Sequence, residues 1–424
     1  MDDPHFKSGP QKRNRLRKSL TKDKSVREEW LQACTDANEA IKDTKIKQLE
    51  EFLTSTNPGD DPGKMWKVIK FLNGTPSTNS PNESINVNGK TIVNLKDKAN
   101  VFAKHYAAVS RHDFTREERA FHRDLKKKLH APSVEDQSCA KLTIAELRRA
   151  IQKVRGKGAA GPIDDIPPYF LKALGPKALE ELLGIFNQSF LYADCPRIWR
   201  VATIIPLLKA GKSASEVASF RPVSLTSCVA KLLERILADR LFHIAETKNL
   251  FSKLQAGFRR NRSCEDNILR VIQKIEDGFQ QKKFHRSVLA LLDFSKAYNT
   301  VWREKLLDHM ISLGIPLQFI RWLRAFLSDR RARVKLNNVF SNSYLFKQGL
   351  PQGSVLAPLL FLFYINDLAE HLPEDVLNSL FADDVAILGT ARERNDATAL
   401  VQHAVTIVER WSIIWKIKIN VGKC

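Results

Sequence analysis

The sequence predicts an α+β protein in which helices surround a small, mainly antiparallel sheet. Short apolar runs such as VATIIPLL (201–208) and VLALL (288–292) have the length and composition of strands. Longer stretches, for example residues 228–247, carry apolar residues at helical spacing. The hairpin-like segment LFADDVAILG (380–389) adds two further strands joined by a short turn. No internal repeat is visible, so the fold is not predicted to be a solenoid.

Net charge narrows the choice of partner. The 424 residues include 68 Lys and Arg against 47 Asp and Glu, a formal net charge of +21. So large a positive excess predicts a polyanionic partner, with nucleic acid first and an anionic membrane surface second. The longest apolar run, VLAPLLFLFYI (355–365), is too short for a bilayer, which needs ~20 residues, so no membrane-spanning segment is predicted.

The chain start and the cysteines predict an intracellular protein. The first twenty residues are polar and basic, unlike a signal peptide. The six cysteines are isolated and form no C-x-x-C pair, which argues against a zinc site and against a disulfide framework.

Changes in composition divide the chain into three segments. Residues 1–80 are predicted to be a basic, mostly helical extension ending in a polar linker, with helices near 25–53 and 65–74. Residues 81–155 are predicted to be a helical connector that begins with a hairpin around Asn88–Gly89. Residues 156–424 hold the remaining strands and helices, including the segment 219–227, which is predicted to be a loop before the long helix.

Two adjacent acids interrupt the apolar run LFADDVAILG. Asp383 and Asp384 are interpreted as the tip of a hairpin, and a solvated turn explains such a pair without any function. Asp293 follows VLALL, a run typical of a strand buried on both faces, and a carboxylate there needs a partner. If the two elements are neighbours in one sheet, three carboxylates converge and could hold two divalent cations for nucleotidyl transfer.

A Gly/Pro-rich loop, KQGLPQGS (347–354), lies between these elements. Gly349 and Gly353 allow the backbone to approach a ligand closely, although such loops are also common before helices without any ligand.

Several motifs in this order resemble those of reverse transcriptases. LLDFSKAYNTV, KQGLPQGSVLAPLLF, LFADDVAIL and WKIKINVGKC resemble motifs A to D of these enzymes. Upstream, GKGAAGPIDDIPPYFLK, ASFRPVSLTSCVAKLLERIL and LQAGFRRNRSCEDNI resemble further blocks of non-LTR (LINE-type) retrotransposon polymerases, nearest the Jockey-like group. The resemblance covers about residues 60–424 and implies a right-hand polymerase with fingers and palm.

The resemblance implies a role for each residue that matches a motif. Asp293, Asp383 and Asp384 are expected to bind Mg²⁺, with Mn²⁺ as an alternative, and Phe294 to contribute a backbone carbonyl. Tyr298 is expected beneath the sugar of the incoming nucleotide, with Gln352 and Gly353 beside the nucleotide and the template base. Arg221, with either Lys209 or Lys212, is expected to bind the triphosphate. Lys423 is expected to act as a general acid. A core aromatic and a solvated lysine are the alternatives for Tyr298 and Lys423.

The sequence departs from the family pattern at a few places. Asn299 stands where the family usually has Asp, and GPIDDI is a longer form of the usual GPDGI. The sequence ends at Cys424, before any thumb-like segment, and carries neither an endonuclease domain nor a Cys/His knuckle, so a fragment or decayed copy of a longer protein is expected.

The resemblance implies RNA-directed DNA synthesis from a primer 3′-hydroxyl, target-primed in an intact element. The expected partners are template RNA, a DNA primer or target DNA and dNTPs, with no membrane. The expected location is the nucleus or a cytoplasmic ribonucleoprotein particle. Two alternatives are a nucleic-acid-binding remnant without turnover and an RNA-directed RNA polymerase; Tyr298 favours deoxynucleotides over the latter.

Overall fold

The computed structural model describes residues 84–87, 90–130, 140–154 and 158–424, with seven isolated helical positions between residues 29 and 43. The chain divides into two compact units, Met1–Asn79 and Ser80–Cys424. In the first unit, the described positions are helical, and the predicted helix near 65–74 and the polar linker lie outside the described residues. The second unit holds all the elements that follow.

The strands are short and are numbered here in chain order. They are β1 (Ile85–Val87), β2 (Lys90–Ile92), β3 (Val201–Leu208), β4 (Phe220–Leu225), β5 (Arg286–Leu292), β6 (Phe294–Ser295), β7 (Arg331–Leu336), β8 (Val339–Phe340), β9 (Tyr344–Leu345), β10 (Val376–Phe381), β11 (Asp384–Ala391) and β12 (Lys418–Ile419). The predicted hairpin around Asn88–Gly89 is confirmed by the antiparallel pairing of β1 with β2.

Helices make up most of the remaining described chain. They are α1 (Leu95–Val109), α2 (Arg116–His130), α3 (Ile144–Gln152), α4 (Pro168–Lys172), α5 (Pro176–Leu191), α6 (Cys228–Thr247), α7 (Cys264–Phe279), α8 (Ala297–Thr300), α9 (Arg303–Ser312), α10 (Leu317–Leu327), α11 (Ala357–His371) and α12 (Arg394–Ile414). None of the helices in the described part is long and apolar enough to cross a membrane.

A three-stranded antiparallel sheet, in the order β10-β11-β5, places the acids found in the sequence. The prediction that β5 is buried on both faces is wrong. Val288 and Ala290 pack against the main core, whereas Leu289 and Leu291 are 44% and 59% exposed. The strand lies at the edge of its sheet, and the face that carries Leu289 and Leu291 opens onto a cavity shared with helix α7, so the side chains alternate between the core and a partly exposed face.

A second sheet has the order β4-β3-β7-β8, with β9 also paired to β7. The predicted loop at 219–227 is corrected here, because Phe220–Leu225 forms strand β4, antiparallel to β3. Pro222 is tolerated since β4 is an edge strand, where a missing backbone N–H leaves no internal ladder bond unmade. Because proline cannot donate a backbone hydrogen bond, the sequence of this segment resembles a loop more than a strand.

The buried side chains form two clusters. The main one surrounds α11, whose residues Leu360–Ile365 are fully buried between the sheet of β5, β10 and β11 and the neighbouring helices. The second packs Phe102 and Tyr106 of α1 against Ile204, Phe220 and Val334 of the second sheet. Helix α1 therefore completes the core of that sheet, and both belong to the compact unit Ser80–Cys424.

Candidate active site

Two neighbouring strands bring the three acids to one end of the sheet. Leu292, the last residue of β5, pairs with Val385 of β11, so Asp293 emerges beside Asp384. Phe381 pairs with Asp384, which makes Ala382–Asp383 the two-residue turn of the β10–β11 hairpin. The predicted tip, Asp383–Asp384, is thus one residue too late. Ala382 has φ of +58°, as the first position of such a turn requires.

The segment around Gln255 holds this turn in place. The Gln255 side chain is buried, and its Oε1 accepts hydrogen bonds from the backbone N–H groups of Ala382 (3.0 Å) and Gly257 (2.8 Å). The Ala256 N–H also donates to the Leu380 carbonyl (2.9 Å). A Cβ on Gly257 would lie 2.3 Å from the backbone nitrogen of Ala382, so this position accepts only glycine without a shift.

Asp293 is held by the C-terminal segment of the chain. Its Oδ2 accepts hydrogen bonds from Asn420 Nδ2 and Lys423 Nζ, both at 2.8 Å. Strand β12 pairs with β6, the strand that follows Asp293. Asn420 and Lys423, which come directly after β12, therefore lie next to the acid. The bond to Asp293 raises the pKa of the Lys423 ammonium, which keeps it protonated at neutral pH.

The hairpin acids carry unfavourable electrostatics. Burial raises the pKa of the Asp383 carboxyl, and the charges of Asp384 and Asp293 raise it further, whereas Lys423 opposes them. Partial burial and the charge of Asp293 also raise the pKa of Asp384. Three acids that repel one another at a strand end are stabilised when a cation lies between them.

No closed metal-binding cluster is formed by the described residues, in the sense of three or more His, Cys, Asp or Glu groups already gathered around one point. Mg²⁺ does not need one, because it is commonly held by one or two carboxylates with water and substrate phosphates completing its shell. Oxygen ligands of this kind are those that Asp293, Asp383 and Asp384 supply, so the residues present fit a divalent cation.

Cationic side chains face the acids across one cavity. Its lining includes Asp293, Asp383, Lys209, Arg221 and Lys423. Burial lowers the pKa of Lys209, and the positive charges of Arg221 and Lys423 lower it further. Such mutual repulsion among cations is relieved by a bound anion. Lys212 is exposed and lies outside this lining, so of the two lysines left open by the sequence, Lys209 faces the cavity.

Two further residues of the cavity wall were not predicted from the sequence. Lys296 and His105 both line the cavity, with Lys296 Nζ 3.3 Å from His105 Nε2. Burial lowers the pKa of His105, as do the charges of Lys296 and Lys209. Lys296 adjoins a recognised motif and could have been found, but His105 lies in α1, some 190 residues upstream, with no motif to mark it.

The ring of Tyr298 forms part of the cavity floor. It stacks on Phe361 with ring centroids 4.7 Å apart, and its hydroxyl is buried without a hydrogen-bond partner among the described residues. Burial raises the pKa of this hydroxyl, as does the charge of Asp383. Tyr298 is thus both a packed aromatic and a wall of the cavity.

The Gly/Pro-rich loop forms the opposite wall. Gln352 and Gly353 line the cavity, and Gln352 Nε2 donates to Asn299 Oδ1 at 3.1 Å. The amide oxygen of Asn299 therefore makes the contact that an Asp at this position would also make. A Cβ on Gly353, where φ is +126°, would lie 2.2 Å from the Ser224 carbonyl oxygen of β4, which explains the glycine.

A comparison with protein-family models shows which family the chain belongs to. The model described as "Reverse transcriptase (RNA-dependent DNA polymerase)" matches residues 208–424, just over half of the chain. The chain belongs to the reverse transcriptase family. The matched region contains every site residue that was predicted from the sequence, from Lys209 to Lys423.

Curated reverse transcriptases of insect mobile elements match over a longer span. In Drosophila melanogaster, the "Probable RNA-directed DNA polymerase from transposon BS" is 29% identical over 93% of this chain and 44% of its own length. The "RNA-directed DNA polymerase from mobile element jockey" is 28% identical over 91% of this chain and 42% of its length, and the X-element protein is 26% identical over 97% and 45%. The predicted resemblance to Jockey-like non-LTR reverse transcriptases is confirmed. The chain spans less than half the length of these relatives.

Proposed function

We propose that this chain catalyses RNA-templated addition of deoxynucleotides to a primer 3′-hydroxyl. The observation that carries the proposal is the cavity that Asp293 and Asp383 share with Lys209 and Arg221, with Asp384 paired beside Asp293 where β5 and β11 meet. Nucleotidyl transfer needs both sides, since the acids bind cations that activate the reacting oxygens and the cationic wall binds the triphosphate.

The sheet of β5, β10 and β11 corresponds in this proposal to the palm of a right-hand polymerase. The sheet of β3, β4 and β7, which carries Lys209 and Arg221 at the paired ends of β3 and β4, corresponds to the fingers. Support comes from the position of the cavity, which is lined by residues of both sheets.

Asp293, Asp383 and Asp384 would hold two Mg²⁺ ions, or Mn²⁺, together with the backbone carbonyl of Phe294. When bound, two such ions would stabilise the negative charge on the attacking and leaving oxygens of the in-line displacement. Asn420 and Lys423 both donate to Oδ2 of Asp293, so Oδ1 would be the oxygen that holds a cation. Lys423 lines the same cavity and would be placed to donate a proton to the pyrophosphate leaving group.

The triphosphate would be bound by the cationic wall. Arg221 offers a planar fork that suits bidentate phosphate contacts, and Lys209 and Lys296 add point charges beside it. The sugar would lie over the Tyr298 ring, and Gln352 with Gly353 would flank the base. The proposed contacts with triphosphate, sugar and base are supported by the position of all these residues in the lining of one cavity.

The partners in this proposal are template RNA, a DNA primer or nicked target DNA, and dNTPs. The formal charge of +21 supports a polyanionic partner through counterion release from the phosphate backbone. The relatives are named as RNA-directed DNA polymerases of mobile elements. The proposal extends to target-primed synthesis in the nucleus or in a cytoplasmic ribonucleoprotein particle.

A primer-extension assay tests the function directly. The purified chain is mixed with an RNA template, a DNA primer and MgCl₂, and product is measured first with dNTPs and then with rNTPs. DNA product from dNTPs is expected. Faster extension with rNTPs would show an RNA-directed RNA polymerase, and tight binding without any extension would show a nucleic-acid-binding remnant.

Replacing Tyr298 by valine is expected to increase ribonucleotide incorporation about ten- to a hundredfold relative to deoxynucleotides. A 2′-hydroxyl against the ring loses water without gaining a hydrogen bond, at a cost of about 1–3 kcal/mol, and valine removes that contact. The ratio of kcat/KM for dCTP and CTP measures it. Phe361→Leu, which loosens the ring from behind, is the control, and an unchanged ratio in Tyr298→Val would assign sugar selection to another residue.

A further inference from the structure

The loop that faces the proposed nucleotide is fixed from behind by two buried charges. This loop, Gly349–Ser354, has neither a helix nor a longer strand within it, and only Gln352, Gly353 and Ser354 reach the cavity. A loop of this kind needs contacts outside itself to keep one conformation.

Arg303 holds the start of the loop. Its side chain is 7% exposed, and its guanidinium donates to the carbonyl oxygens of Gly349 (2.8 Å) and Gln348 (3.1 Å). The remaining donors reach three further carbonyl oxygens, those of Phe346 (3.0 Å), Lys347 (3.1 Å) and Leu327 (2.6 Å). The backbone N–H of Arg303 also binds Gln348 Oε1 at 2.8 Å. Five carbonyl groups thus converge on one side chain.

The charge of Arg303 has no acidic partner within ion-pair distance in the described part of the chain. Burial lowers the pKa of its guanidinium to about 9, so the group is still cationic at neutral pH. Burying a charge without a counter-ion is costly unless hydrogen bonds replace its hydration. The carbonyls of Gly349, of the three residues before it and of Leu327 provide that replacement, so the point at which the chain enters the loop is tied to the guanidinium.

Glu234 holds the end of the loop. Its side chain is 1% exposed on α6, and its Oε2 accepts hydrogen bonds from the Ser354 hydroxyl and from the N–H groups of Val355 (2.7 Å) and Leu356 (3.3 Å). These groups precede the first turn of α11, where a negative charge is stabilised by the unpaired N–H groups of the helix. The carboxylate fixes the point at which the loop becomes a helix.

Two further backbone hydrogen bonds restrict the loop between these two ends. The Ser224 N–H of β4 donates to the Gln352 carbonyl at 2.7 Å, and the Leu350 N–H donates to the Tyr298 carbonyl. Gly349 and Gly353 both have positive φ, of +83° and +126°. The conformation that presents Gln352 and Gly353 to the cavity therefore depends on its supports rather than on local preference.

We propose that Arg303 and Glu234 are positioning residues for the incoming nucleotide, which act by fixing the two ends of the Gly349–Ser354 loop. The inference rests on the proposed function, since it takes the loop as part of the nucleotide site. Loss of either charge lets the loop leave the conformation that contacts the nucleotide, while the three acids at the end of β5 and at the β10–β11 turn stay in place.

The test separates nucleotide binding from folding. Arg303→Lys keeps the charge but has too few donors for five carbonyls, and Glu234→Gln keeps the shape but removes the charge. The dissociation constant of a dNTP is measured with the full chain bound to an RNA template and a dideoxy-terminated primer in MgCl₂, which requires no turnover. KM, kcat and melting temperature are measured alongside.

Both variants are expected to weaken dNTP binding about ten- to a hundredfold and to raise KM by a similar factor. The dissociation constant for primer–template is expected to stay within about twofold. Arg240→Lys is the control, because Arg240 also donates to two backbone carbonyls, and to the Glu146 carboxylate, and none of these partners belongs to the loop. It is expected to lower the melting temperature without changing dNTP affinity.

Three outcomes overturn the inference. The first is unchanged dNTP affinity in folded Arg303→Lys and Glu234→Gln. The second is an equal loss of affinity in Arg240→Lys, which would show a general effect of stability. The third is a parent chain that binds primer–template but no dNTP, which would also refute the proposed function; the first two outcomes leave that function intact. If the buried variants do not fold, Ser354→Ala removes one bond to Glu234 and is expected to give a smaller loss in the same direction.

Discussion

Replacing Asp383 by asparagine is expected to lower primer extension by at least about a thousandfold. The carboxylate lies in the hairpin turn, half-buried beside Asp384 and Asp293, where its charge is needed to hold a divalent cation. A thousandfold loss corresponds to about 4 kcal/mol of transition-state stabilisation, which is within the range of metal-ion catalysis. Single-nucleotide extension rates with excess enzyme measure the effect.

Binding of the RNA–DNA duplex is expected to stay within about twofold in the same variant, because removing one negative charge does not remove a phosphate contact. Asp239→Asn serves as the control, since Asp239 of α6 is a half-exposed carboxylate that pairs with Lys153 and Arg260, outside the cavity. Equal losses of binding and extension in Asp383→Asn would indicate misfolding instead of a missing ligand, and unchanged extension would remove Asp383 from the site.

Replacing Gly257 by alanine is expected to lower extension about a hundredfold, although Gly257 does not line the cavity. The added Cβ would lie 2.3 Å from the Ala382 nitrogen and 2.9 Å from the Phe381 carbonyl carbon, both of them backbone atoms. The hairpin turn must then move by about an ångström, and a misplacement of that size costs about two orders of magnitude in rate. Overpacking of this kind also lowers stability by about 1–3 kcal/mol.

Gly184→Ala is the matched control for that substitution. Gly184 lies within helix α5 and has open space where its Cβ would stand. Alanine is expected to stabilise the chain there by about 0.5–1 kcal/mol through helix propensity and to leave extension unchanged. A Gly257→Ala protein that extends primers at the parental rate would show that the turn tolerates displacement, and that its bracing by Gln255 is not needed for activity.

The acids of the site were predictable because their motifs are local. Asp293 follows a recognisable strand and Asp383–Asp384 interrupt another, so sequence was sufficient to expect their convergence at one end of a sheet. The turn was misplaced by one residue because two adjacent Asp favour a turn more strongly than Ala382 does. Only the ladder pairing of Phe381 with Asp384 settles which residues lie between the strands.

The supports of the site were not predictable, since each depends on contacts between distant segments. Gln255 reaches Ala382 across 127 residues, and Glu234 reaches Ser354 across 120. A buried glutamine, glutamate or arginine in an amphipathic helix or a basic loop carries no local sign of its partner. The exposed face of β5 was missed for a related reason, because an apolar run does not reveal how many of its faces are covered.

The order of strands in the second sheet has a practical consequence for anyone who expresses the polymerase region alone. The match to the reverse transcriptase family model begins at residue 208, which is the last residue of β3. An excised fragment starting there would lack the strand that lies between β4 and β7, and two sheet edges would be open to pairing with other chains. It would also lack α1, which covers the apolar face of the same sheet and supplies His105 to the cavity. The segment that the family model covers is therefore shorter than the compact unit that contains it, and fragments intended to fold should begin before Ile85.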